Sequence, residues 1–404
     1  MMRLLLLPVA LVLLAGCVRV NVHGDPAAYR RAMSDSDLRV ATYNASLYAD
    51  TAGGLVARLA NGDADARKVA AVLQRVRPDV VLINEFDFDP DGRAADLFQR
   101  DYLEVAQPGG GAALRYPYRY FAPVNTGVAS GLDLDGDGQV GVEGRAYGND
   151  AWGYGLHPGQ YGMLLLSRHP IDGARARTFQ HLRWSALPDA RRPVLPDGRP
   201  FHADAVWSQL RLSSKSHWDV PVRTPLGTVH MLASHPTPPV FDGAEDRNGR
   251  RNADEIRLWR EYISPGAKPW LCDDAGACGG LPGDARFVIL GDLNNDPADG
   301  DGLHDAVNAL LGHPRVVRHP TPSSAGALAA ARAAPAVHAG RGGNPAHGTG
   351  DFGGRVGVLR LDYALPSTGM RLAGTGVYWP APGEPGADLV DGSDHRLVWV
   401  DLAP

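Results

Sequence analysis

The stretch FVILGDLN, residues 287–294, predicts a strand whose end carries two polar side chains. Four apolar residues lead into Gly291, Asp292 and Asn294. Asp292 and Asn294 are two residues apart, so on a strand both side chains point to the same face. Their carboxylate and amide are hard oxygen donors, which suit magnesium or manganese. This stretch therefore predicts a strand that ends at a metal-dependent site.

Similar strand ends recur along the chain. Strands are predicted at 38–44, 79–85, 161–167, 206–213, 228–235, 287–294, 359–366 and 396–402, with a further one near 118–124. Helical spacing of apolar residues predicts helices at 66–76, 252–263 and about 302–312. Many apolar strands with fewer helices between them indicate a sheet-rich α/β fold with more than one sheet.

Polar residues stand at six of these strand ends. They are Asn44, Glu85, His235, Asp292 with Asn294, Asp362, and Asp394 with His395. Ligands of open α/β sheets gather at strand ends, so six such ends can build one site. Any single one could equally be a solvated cap, and the prediction rests on the set.

The sequence begins MMRLLLLPVALVLLAGC, which is typical of a secretory signal. Its apolar run is too short to span a bilayer comfortably. LLAGC resembles the lipobox of bacterial lipoproteins, which implies a signal peptide of residues 1–16 and lipidation of Cys17. A plain secretory signal is the alternative. Val18 follows the cysteine, and by the same resemblance this favours an exported protein anchored to the cell envelope, at the outer membrane or facing the periplasm.

The chain carries 45 acidic and 40 basic residues, for a net charge of −5. This balance is not that of a protein built to coat nucleic acid, although it leaves room for a nuclease with a local basic groove. Cys272 and Cys278 close a short loop in an exported chain, which predicts a disulfide. Two thiols alone make a poor zinc site.

Six motifs together resemble the endonuclease/exonuclease/phosphatase superfamily, which has the fold of deoxyribonuclease I. They are TYNAS, LINEFD, LASHPTPP, GDLNNDP, LRLDYALPS and GSDHRLVWV, and they occur in the superfamily's order and spacing over about residues 37–402. The resemblance implies a four-layer α/β/β/α sandwich with two packed, largely antiparallel sheets. It also implies metal-dependent hydrolysis of a phosphoester.

The resemblance also assigns roles to the polar strand ends. Glu85 matches the family's metal-binding glutamate, and Asn44 matches the asparagine that orients it. Asp292 and Asn294 match the pair that holds the attacking water and the phosphate. The remaining matches are Asp362, which hydrogen-bonds the final histidine, the closing pair Asp394 and His395, and His235, a second histidine of the deoxyribonuclease and sphingomyelinase branches.

These residue types fit the chemistry of an anionic ester. A Mg²⁺ or Mn²⁺ ion bound by Glu85 and Asp394, with Asp292 beside it, would neutralise charge on the phosphate. Asp292 or His395 could take a proton from water, and His235 is a candidate acid. Asp362 would hold His395 in one tautomer and favour its charged form.

The sequence departs from the family beside His235. The deoxyribonuclease branch partners this histidine with an acidic residue, whereas the corresponding region here offers Gln160 and Tyr161. His235 is then expected to be a substrate ligand rather than an acid. The alternative is a structural histidine whose ring nitrogens form hydrogen bonds with backbone groups.

Residues 133–144 resemble a calcium loop. Asp133, Asp135 and Asp137 occupy ligand positions, but position 12 is Gly144 where a bidentate glutamate belongs. No helix signal flanks the loop, which excludes a calcium sensor of the paired-helix type. We expect a structural Ca²⁺ site within an insertion at about 125–160, with a solvated turn as the alternative.

A basic cluster follows the His235 strand. Arg247, Arg250 and Arg251 are candidates for contact with substrate phosphates, and a solvated start of a helix is the slightly favoured alternative.

The expected organisation is a tether at 17–36 and one catalytic domain at 37–404. The stretch at about 320–355 is rich in Ala, Gly and Pro over 322–350, and we interpret it as a long surface loop because strand signals resume after it.

The expected function is a monomeric, metal-dependent phosphoesterase at the cell envelope. It would hydrolyse phosphodiester or phosphomonoester bonds by metal-assisted attack of water. Nucleic acid, phospholipid head groups and sugar phosphates are all candidate substrates, because a fold does not choose among them. The alternatives are a catalytically inactive, calcium-stabilised surface binding protein on the same scaffold, and an enzyme whose insertions restrict it to small phosphomonoesters.

Overall fold

The computed structural model describes residues 19–20, 34, 37–318 and 320–404 of the chain. Cys17 and most of the expected tether lie outside these residues, so the signal peptide and the lipid anchor stay predictions. Among the described residues, no helix combines the length and the apolar character needed to cross a membrane.

The described residues form fourteen strands. They are β1 Arg19–Val20, β2 Leu38–Leu47, β3 Val80–Phe86, β4 Tyr118–Tyr120, β5 Met163–Ser167, β6 Arg177–Thr178, β7 His217–Thr224, β8 Gly227–Ser234, β9 Arg286–Asp292, β10 Gly350–Asp351, β11 Val358–Leu359, β12 Asp362–Pro366, β13 Arg371–Val377 and β14 Val398–Ala403.

The same part of the chain forms nine α-helices. They are α1 Gly54–Ala60, α2 Ala64–Val76, α3 Arg93–Leu97, α4 Gly144–Asn149, α5 Asp204–Trp207, α6 Arg247–Ile263, α7 His304–Leu311, α8 Ala325–Ala333 and α9 Pro335–His338. A π-helical turn at Phe98–Leu103 continues α3, and short 3₁₀ turns lie at Gly173–Arg175, Trp184–Ala186, Pro345–His347 and Ala387–Gly392.

Two large sheets dominate the fold. The first has the strand order β1-β13-β14-β2-β3-β5-β4, and the second has the order β12-β9-β8-β7-β6. The pairs β1/β13, β2/β3 and β8/β9 are parallel, and the other pairs within these sheets are antiparallel. The two sheets are therefore largely antiparallel, as the sequence predicts.

The sheets pack face to face over an apolar core. Val40 and Leu82 of the first sheet share this core with Met231 and Leu290 of the second. Along β2 the alternate residues, such as Tyr43, point to the opposite face, because successive side chains of a strand alternate. Helix α2 covers that outer face.

Helix α6 covers the outer face of the second sheet. Its residues Ile256 and Trp259 pack against Phe287 and Ile289 of β9, and α7 joins the same core. Each sheet thus has one face against the other sheet and one face against helices, which confirms the four-layer α/β/β/α sandwich.

Helix α2 shows how local sequence sets these boundaries. The side chain of Asp63 caps its first turn by accepting a hydrogen bond of 2.8 Å from Ala66 N. The helix ends where Arg77 adopts a left-handed conformation immediately before Pro78. After this end of the helix, the chain continues directly into β3.

One strand prediction is wrong. Residues 206–213 are not a strand: α5 occupies Asp204–Trp207, and a turn with one isolated bridge at Arg211 follows. The strand lies further on, as β7, in a stretch that contains Pro221 and the buried Asp219. Hydrogen bonds to Asp219 from distant Tyr262 and His230 offset its burial, and no local pattern in the sequence shows them.

Three further boundaries differ from the expectations. Helix α6 begins at Arg247 rather than 252, and the strand β13 falls in a glycine-rich stretch for which no strand is predicted. The segment 322–350, expected as a loop, contains α8 and α9. The Ser324 side chain caps α8 by accepting a hydrogen bond from Ala327 N. A serine at this position favours the start of a helix, but the alanine-rich composition of the segment led to the prediction of a loop.

Candidate active site

The polar strand ends from both sheets meet at one edge of the sandwich. Asn44 lies on β2 and Glu85 on β3 of the first sheet, and Asp292 ends β9 of the second. A cleft of about 700 Å³ opens above them. The predicted site residues that line this cleft are Glu85, His235, Arg247, Arg251, Asp292, Asn294, Asp394 and His395.

Asn44 joins the two sheets beneath the cleft. Its Nδ2 donates to Glu85 Oε1 and to Asp292 Oδ2, each at 3.1 Å, and the residue is 0% exposed. Its neighbour Asn84 on β3 also connects the two sheets, because Asn84 Oδ1 accepts a hydrogen bond of 3.2 Å from Asp292 N. These bonds fix the position of the Glu85 carboxylate relative to the Asp292 carboxylate.

His395 lies between two carboxylates. Its Nδ1 is 2.9 Å from Asp362 Oδ2, and its Nε2 is 3.5 Å from Asp292 Oδ2. Thr349 Oγ1 donates to the same Asp362 oxygen at 2.7 Å, which holds that carboxylate in place. Burial acts to lower the pKa of His395, but the charges of Asp362 and Asp292 outweigh it and raise the pKa well above its usual value. The imidazole is therefore held in its charged form.

Asp292 is 1% exposed and lies within reach of both histidines. Burial raises its pKa, and the nearby Asp362 carboxylate acts in the same direction, while His395 opposes both. Asn294 N donates to Asp292 Oδ1 at 2.8 Å. Gly291 has to be a glycine because a Cβ there would lie 1.9 Å from the Ser234 carbonyl oxygen of the adjacent strand. Gly291 thus lets β9 approach β8 closely, and Asp292 is the next residue in the sequence.

Asp292, Asp362 and His395 bring one possible metal-ligating atom each within 4.8 Å of one another. Asp362 Oδ2 accepts from His395 and Thr349, whereas Asp362 Oδ1 has no partner among the described residues. Because His395 contacts both carboxylates, we interpret this trio as a relay of one hydrogen bond and one ion pair.

Glu85 and Asp394 offer the better place for a cation. Glu85 has a left-handed backbone with φ of 55°, and burial raises the pKa of its carboxyl although His395 and Asn44 act against the shift. A cation beside such a carboxylate favours its ionised form. Asp394 is exposed at the cleft, and Ser46 Oγ donates to its Oδ1 at 3.2 Å. Two carboxylates with free oxygens are the donor set of a hard divalent ion.

His235 is 2% exposed, and its Nε2 lies 3.5 Å from Asp292 Oδ2. Its Nδ1 has no hydrogen-bond partner among the described residues. Burial lowers the pKa of His235 well below its usual value, and the nearby charges of Lys215 and His395 add to the effect. This direction favours the neutral ring, and a neutral ring suits a substrate ligand or a structural residue better than a general acid.

Sequence reasoning missed Lys215. This residue lies in the cleft beside His235, and it belongs to the loop before β7 rather than to any recognised motif. One signal was available: the chain has only three lysines, Lys68, Lys215 and Lys268, among 40 lysine and arginine residues.

Two arginines at the start of α6 line the cleft and also make contacts within the chain. Arg251 donates to the carbonyl oxygens of Trp152, Arg211 and Leu212 through Nε and Nη2, and its role as a phosphate ligand stays a prediction. Arg247 pairs with Glu245 at the cleft wall. Arg250 does not line the cleft, and its Nε is buried without a partner among the described residues.

The aspartate loop lies on the cleft wall rather than at its floor. Asp133, Asp135 and Asp137 bring one carboxylate oxygen each within 4.8 Å of one another. Asp133 accepts from Gly136 N and Gly138 N, and the short helix α4 follows. Cys272 and Cys278 form a disulfide near β6. Neither feature contacts the reacting groups.

Comparisons with known proteins agree with this arrangement. The model of the Endonuclease/Exonuclease/phosphatase family matches residues 41–395. The comparison with curated proteins returns no match.

Three solved structures illustrate the likeness. An endonuclease/exonuclease/phosphatase from Beutenbergia cavernae DSM 12333 is 20% identical with a TM-score of 0.48, over 91% of this chain and 71% of that one. Sphingomyelinase C from Streptomyces griseocarneus is 19% identical with a TM-score of 0.45, over 91% and 99% of the two chains. A beta toxin variant from Staphylococcus aureus with bound magnesium ions is 16% identical with a TM-score of 0.43, over 90% and 99%.

Proposed function

This chain belongs to the endonuclease/exonuclease/phosphatase family, and on that premise we propose that it is a metal-dependent phosphoesterase that hydrolyses phosphodiester bonds. Endonucleases, exonucleases and phosphatases all cleave bonds between phosphorus and an ester oxygen. The observation that carries the proposal is the chain of contacts from Asp362 through His395 and Asp292 to Asn44 and Glu85.

The residues present fit a divalent cation. Glu85 and Asp394 would hold Mg²⁺ or Mn²⁺, with Asp292 nearby, because buried or clustered carboxylates favour a hard cation. When bound, such an ion neutralises charge on the phosphate and on the oxygen that leaves.

The side chains of the relay handle the protons. Asp292 takes a proton from water as the water oxygen forms its bond to phosphorus, and a carboxylate with a raised pKa is the better base for this step. The charged His395, oriented by Asp362, donates a hydrogen bond to the phosphoryl group. The bond between phosphorus and the leaving oxygen breaks, and that oxygen takes up a proton from His395 or from solvent.

The charges around the cleft favour a compact substrate over duplex nucleic acid. Three further aspartates, Asp296, Asp299 and Asp301, line the cleft. Of the three arginines that line the cleft, Arg247 pairs with Glu245 and Arg251 donates to carbonyl oxygens, which leaves Arg145 as the one without an ion pair among the described residues. Tight binding of a polyanion needs a row of free cations. A single phosphoester group, on a lipid head group, a nucleotide or a sugar, fits this lining better.

Two further parts of the proposal concern location and calcium. We place the enzyme on the cell envelope through lipidated Cys17, because LLAGC resembles a lipobox; labelling with a radioactive fatty acid, lost in Cys17→Ser, tests this. The clustered Asp133, Asp135 and Asp137 would hold a structural Ca²⁺ ion that stiffens the cleft wall.

Hydrolysis of bis-p-nitrophenyl phosphate tests the activity. The purified protein is assayed with Mg²⁺, Mn²⁺ or a chelator, beside Asp292→Asn and the control Asp197→Asn, which is exposed and outside the cleft. Metal-dependent turnover that is lost in Asp292→Asn and kept in Asp197→Asn supports the proposal. If the folded protein hydrolyses neither this diester nor p-nitrophenyl phosphate with any metal, the result supports the alternative of a catalytically inactive binding protein.

A further inference from the structure

Lys215 is a buried lysine on the floor of the cleft. It is 6% exposed and lines the cleft together with Glu85, His235 and Asp292. Within the described residues, its ammonium group makes no side-chain hydrogen bond, and no carboxylate lies within 4.0 Å of it. Buried charges in proteins are normally paired, so an unpaired one in a cleft indicates a partner that comes from outside the chain.

The loop that carries Lys215 is held from several sides. Ser214 N donates to Glu255 Oε1 at 2.6 Å, and Asn125 N donates to the Lys215 carbonyl oxygen at 2.8 Å. Arg251 donates to the carbonyl oxygens of Arg211 and Leu212 in the same loop. The backbone at Lys215 therefore has a fixed position before any ligand arrives, as a preorganised binding group requires.

The nearby carboxylates do not account for the lysine. Glu255 already accepts from Ser214 N, Ser214 Oγ and Thr237 N. Glu85 accepts from Asn44 and is the residue that would hold a divalent cation. Burial lowers the pKa of Lys215, whereas Glu255, Glu85 and Asp292 act to raise it. These carboxylates supply a field that favours the ammonium form without forming a contact.

The cleft floor thus has two poles. Glu85 and Asp394 form an acidic pole that suits a cation, and Lys215 forms a basic pole on the side of His235. Asp292 is connected to both poles: Asn44 donates to Asp292 and to Glu85, and His235, which contacts Asp292, lies near Lys215. A phosphoryl group that bridges the poles would place one oxygen at each.

We propose that Lys215 binds a non-bridging oxygen of the substrate phosphoryl group, opposite the divalent cation, and so stabilises the charge that develops in the transition state. The inference rests on the proposed phosphoesterase function. A compact ammonium suits this enclosed position better than a guanidinium, which is consistent with a lysine here in a chain that otherwise uses arginine for almost all of its cations.

Substitution of Lys215 by an uncharged residue of similar length tests the proposal. Lys215→Met and Lys215→Gln are compared with wild-type protein, with Lys268→Met as the matched control, because Lys268 is also buried but lies outside the cleft. We expect kcat on bis-p-nitrophenyl phosphate to fall about 100-fold in both Lys215 variants. Binding of inorganic phosphate in the presence of Mg²⁺, measured by calorimetry, should weaken about tenfold or more.

Affinity for Mg²⁺ provides a readout that a structural role would not move. Removal of the ammonium also removes a repulsive charge from the neighbourhood of Glu85, so the Lys215 variants should bind Mg²⁺ several-fold more tightly than wild type. Lys268→Met should leave all three quantities unchanged.

Two results would overturn the inference. One is a Lys215→Met protein that folds and keeps kcat and phosphate affinity within about twofold of wild type. The other is loss of folding in both Lys215 variants, which would show that the folded chain itself needs the ammonium. Wild-type protein without turnover would instead count against the phosphoesterase function, and phosphate binding would still test Lys215.

Discussion

Asp292 Oδ2 lies 3.5 Å from His395 Nε2, although the two residues belong to different sheets. Asp292 ends a strand of the five-stranded sheet, and His395 precedes the last strand of the seven-stranded sheet. The relay therefore exists only while the two sheets keep their relative position. Substitutions that disturb the packing of one sheet on the other should reduce activity as well as stability.

Asn44→Ala should show this coupling most directly. The change removes the hydrogen bonds to Glu85 and Asp292 at once, which leaves two carboxylates less well solvated. We expect the free energy of unfolding to fall by about 1–3 kcal/mol and kcat to fall about 10- to 100-fold. Urea unfolding and steady-state kinetics measure the two effects. Asn308→Ala, at an exposed position of α7, is the control. Equal stability and equal kcat in the two variants would contradict the assigned role of Asn44.

Asp362→Asn should disorder the His395 ring. The amide cannot supply the charge that keeps His395 protonated, nor fix its Nδ1–H as the carboxylate does. We expect kcat to fall about 10- to 100-fold with little change in KM. Thr349→Val removes the hydrogen bond to Asp362 Oδ2 and those that Thr349 Oγ1 accepts from Leu361 N and Asp362 N, but it keeps the Asp362 carboxylate and should cause a smaller loss of kcat. An Asp362→Asn enzyme as active as Thr349→Val would argue against the relay.

Gly153→Ala should damage the site from a distance. A Cβ at residue 153 would lie 1.8 Å from the carbonyl oxygen of Ser214, so the loop that carries Lys215 has to shift. We expect a loss of about 1–3 kcal/mol in the free energy of unfolding, together with a lower kcat. Gly173→Ala meets open space and is the matched control. Normal stability and activity in Gly153→Ala would show that the close approach is not required.

His217 should make stability depend on pH. Burial lowers its pKa to about 4, although a hydrogen bond to the Glu255 carbonyl oxygen acts against this shift, and the ordinary value is 6.5. Between pH 6.5 and 4 the unfolded chain therefore binds a proton that the folded chain does not. This residue contributes stability that is complete above pH 6.5 and is lost as the pH falls, up to about 3 kcal/mol.

Urea unfolding at pH 7 and pH 5 checks this dependence. His217→Gln removes the titrating group, so its free energy of unfolding should fall less between the two pH values than that of wild type. The other titratable groups are the same in both proteins. The difference between the two changes in unfolding free energy therefore reports the contribution of His217. The same pH slope in the two proteins would contradict the prediction.

Calcium should stabilise the insertion. Asp133, Asp135 and Asp137 repel one another at neutral pH, and a bound Ca²⁺ ion would remove this repulsion. We expect Ca²⁺ to raise the melting temperature of wild-type protein and not that of Asp135→Asn, with Asp197→Asn in another exposed turn as the control. Chelation that leaves melting and activity unchanged in excess Mg²⁺ would favour a solvated turn.

The amino-acid sequence alone predicted a sheet-rich α/β fold with polar strand ends, and its resemblance to a known family implied the four-layer architecture and the roles of the candidate site residues. Strands buried on two faces appear as apolar runs, and the polar residues that end them stand out, as Asp292 after VILG shows. Such signals are local, because they depend on neighbouring residues and on the two-residue period of a strand. Glu85, Asp292 and His395 can therefore be recognised from the amino-acid sequence.

Only the tertiary structure decided the features that depend on distant partners. Asp219 can lie in a buried strand because Tyr262 and His230 satisfy it, and Arg251 is held in place because carbonyl oxygens remote in the sequence accept hydrogen bonds from it. Among the described residues, Lys215 has neither an ion pair nor a side-chain hydrogen bond, a property that no single stretch of sequence contains. The free energy of a buried polar or charged group depends on the atoms that the fold brings to it, and these atoms come from elsewhere in the chain.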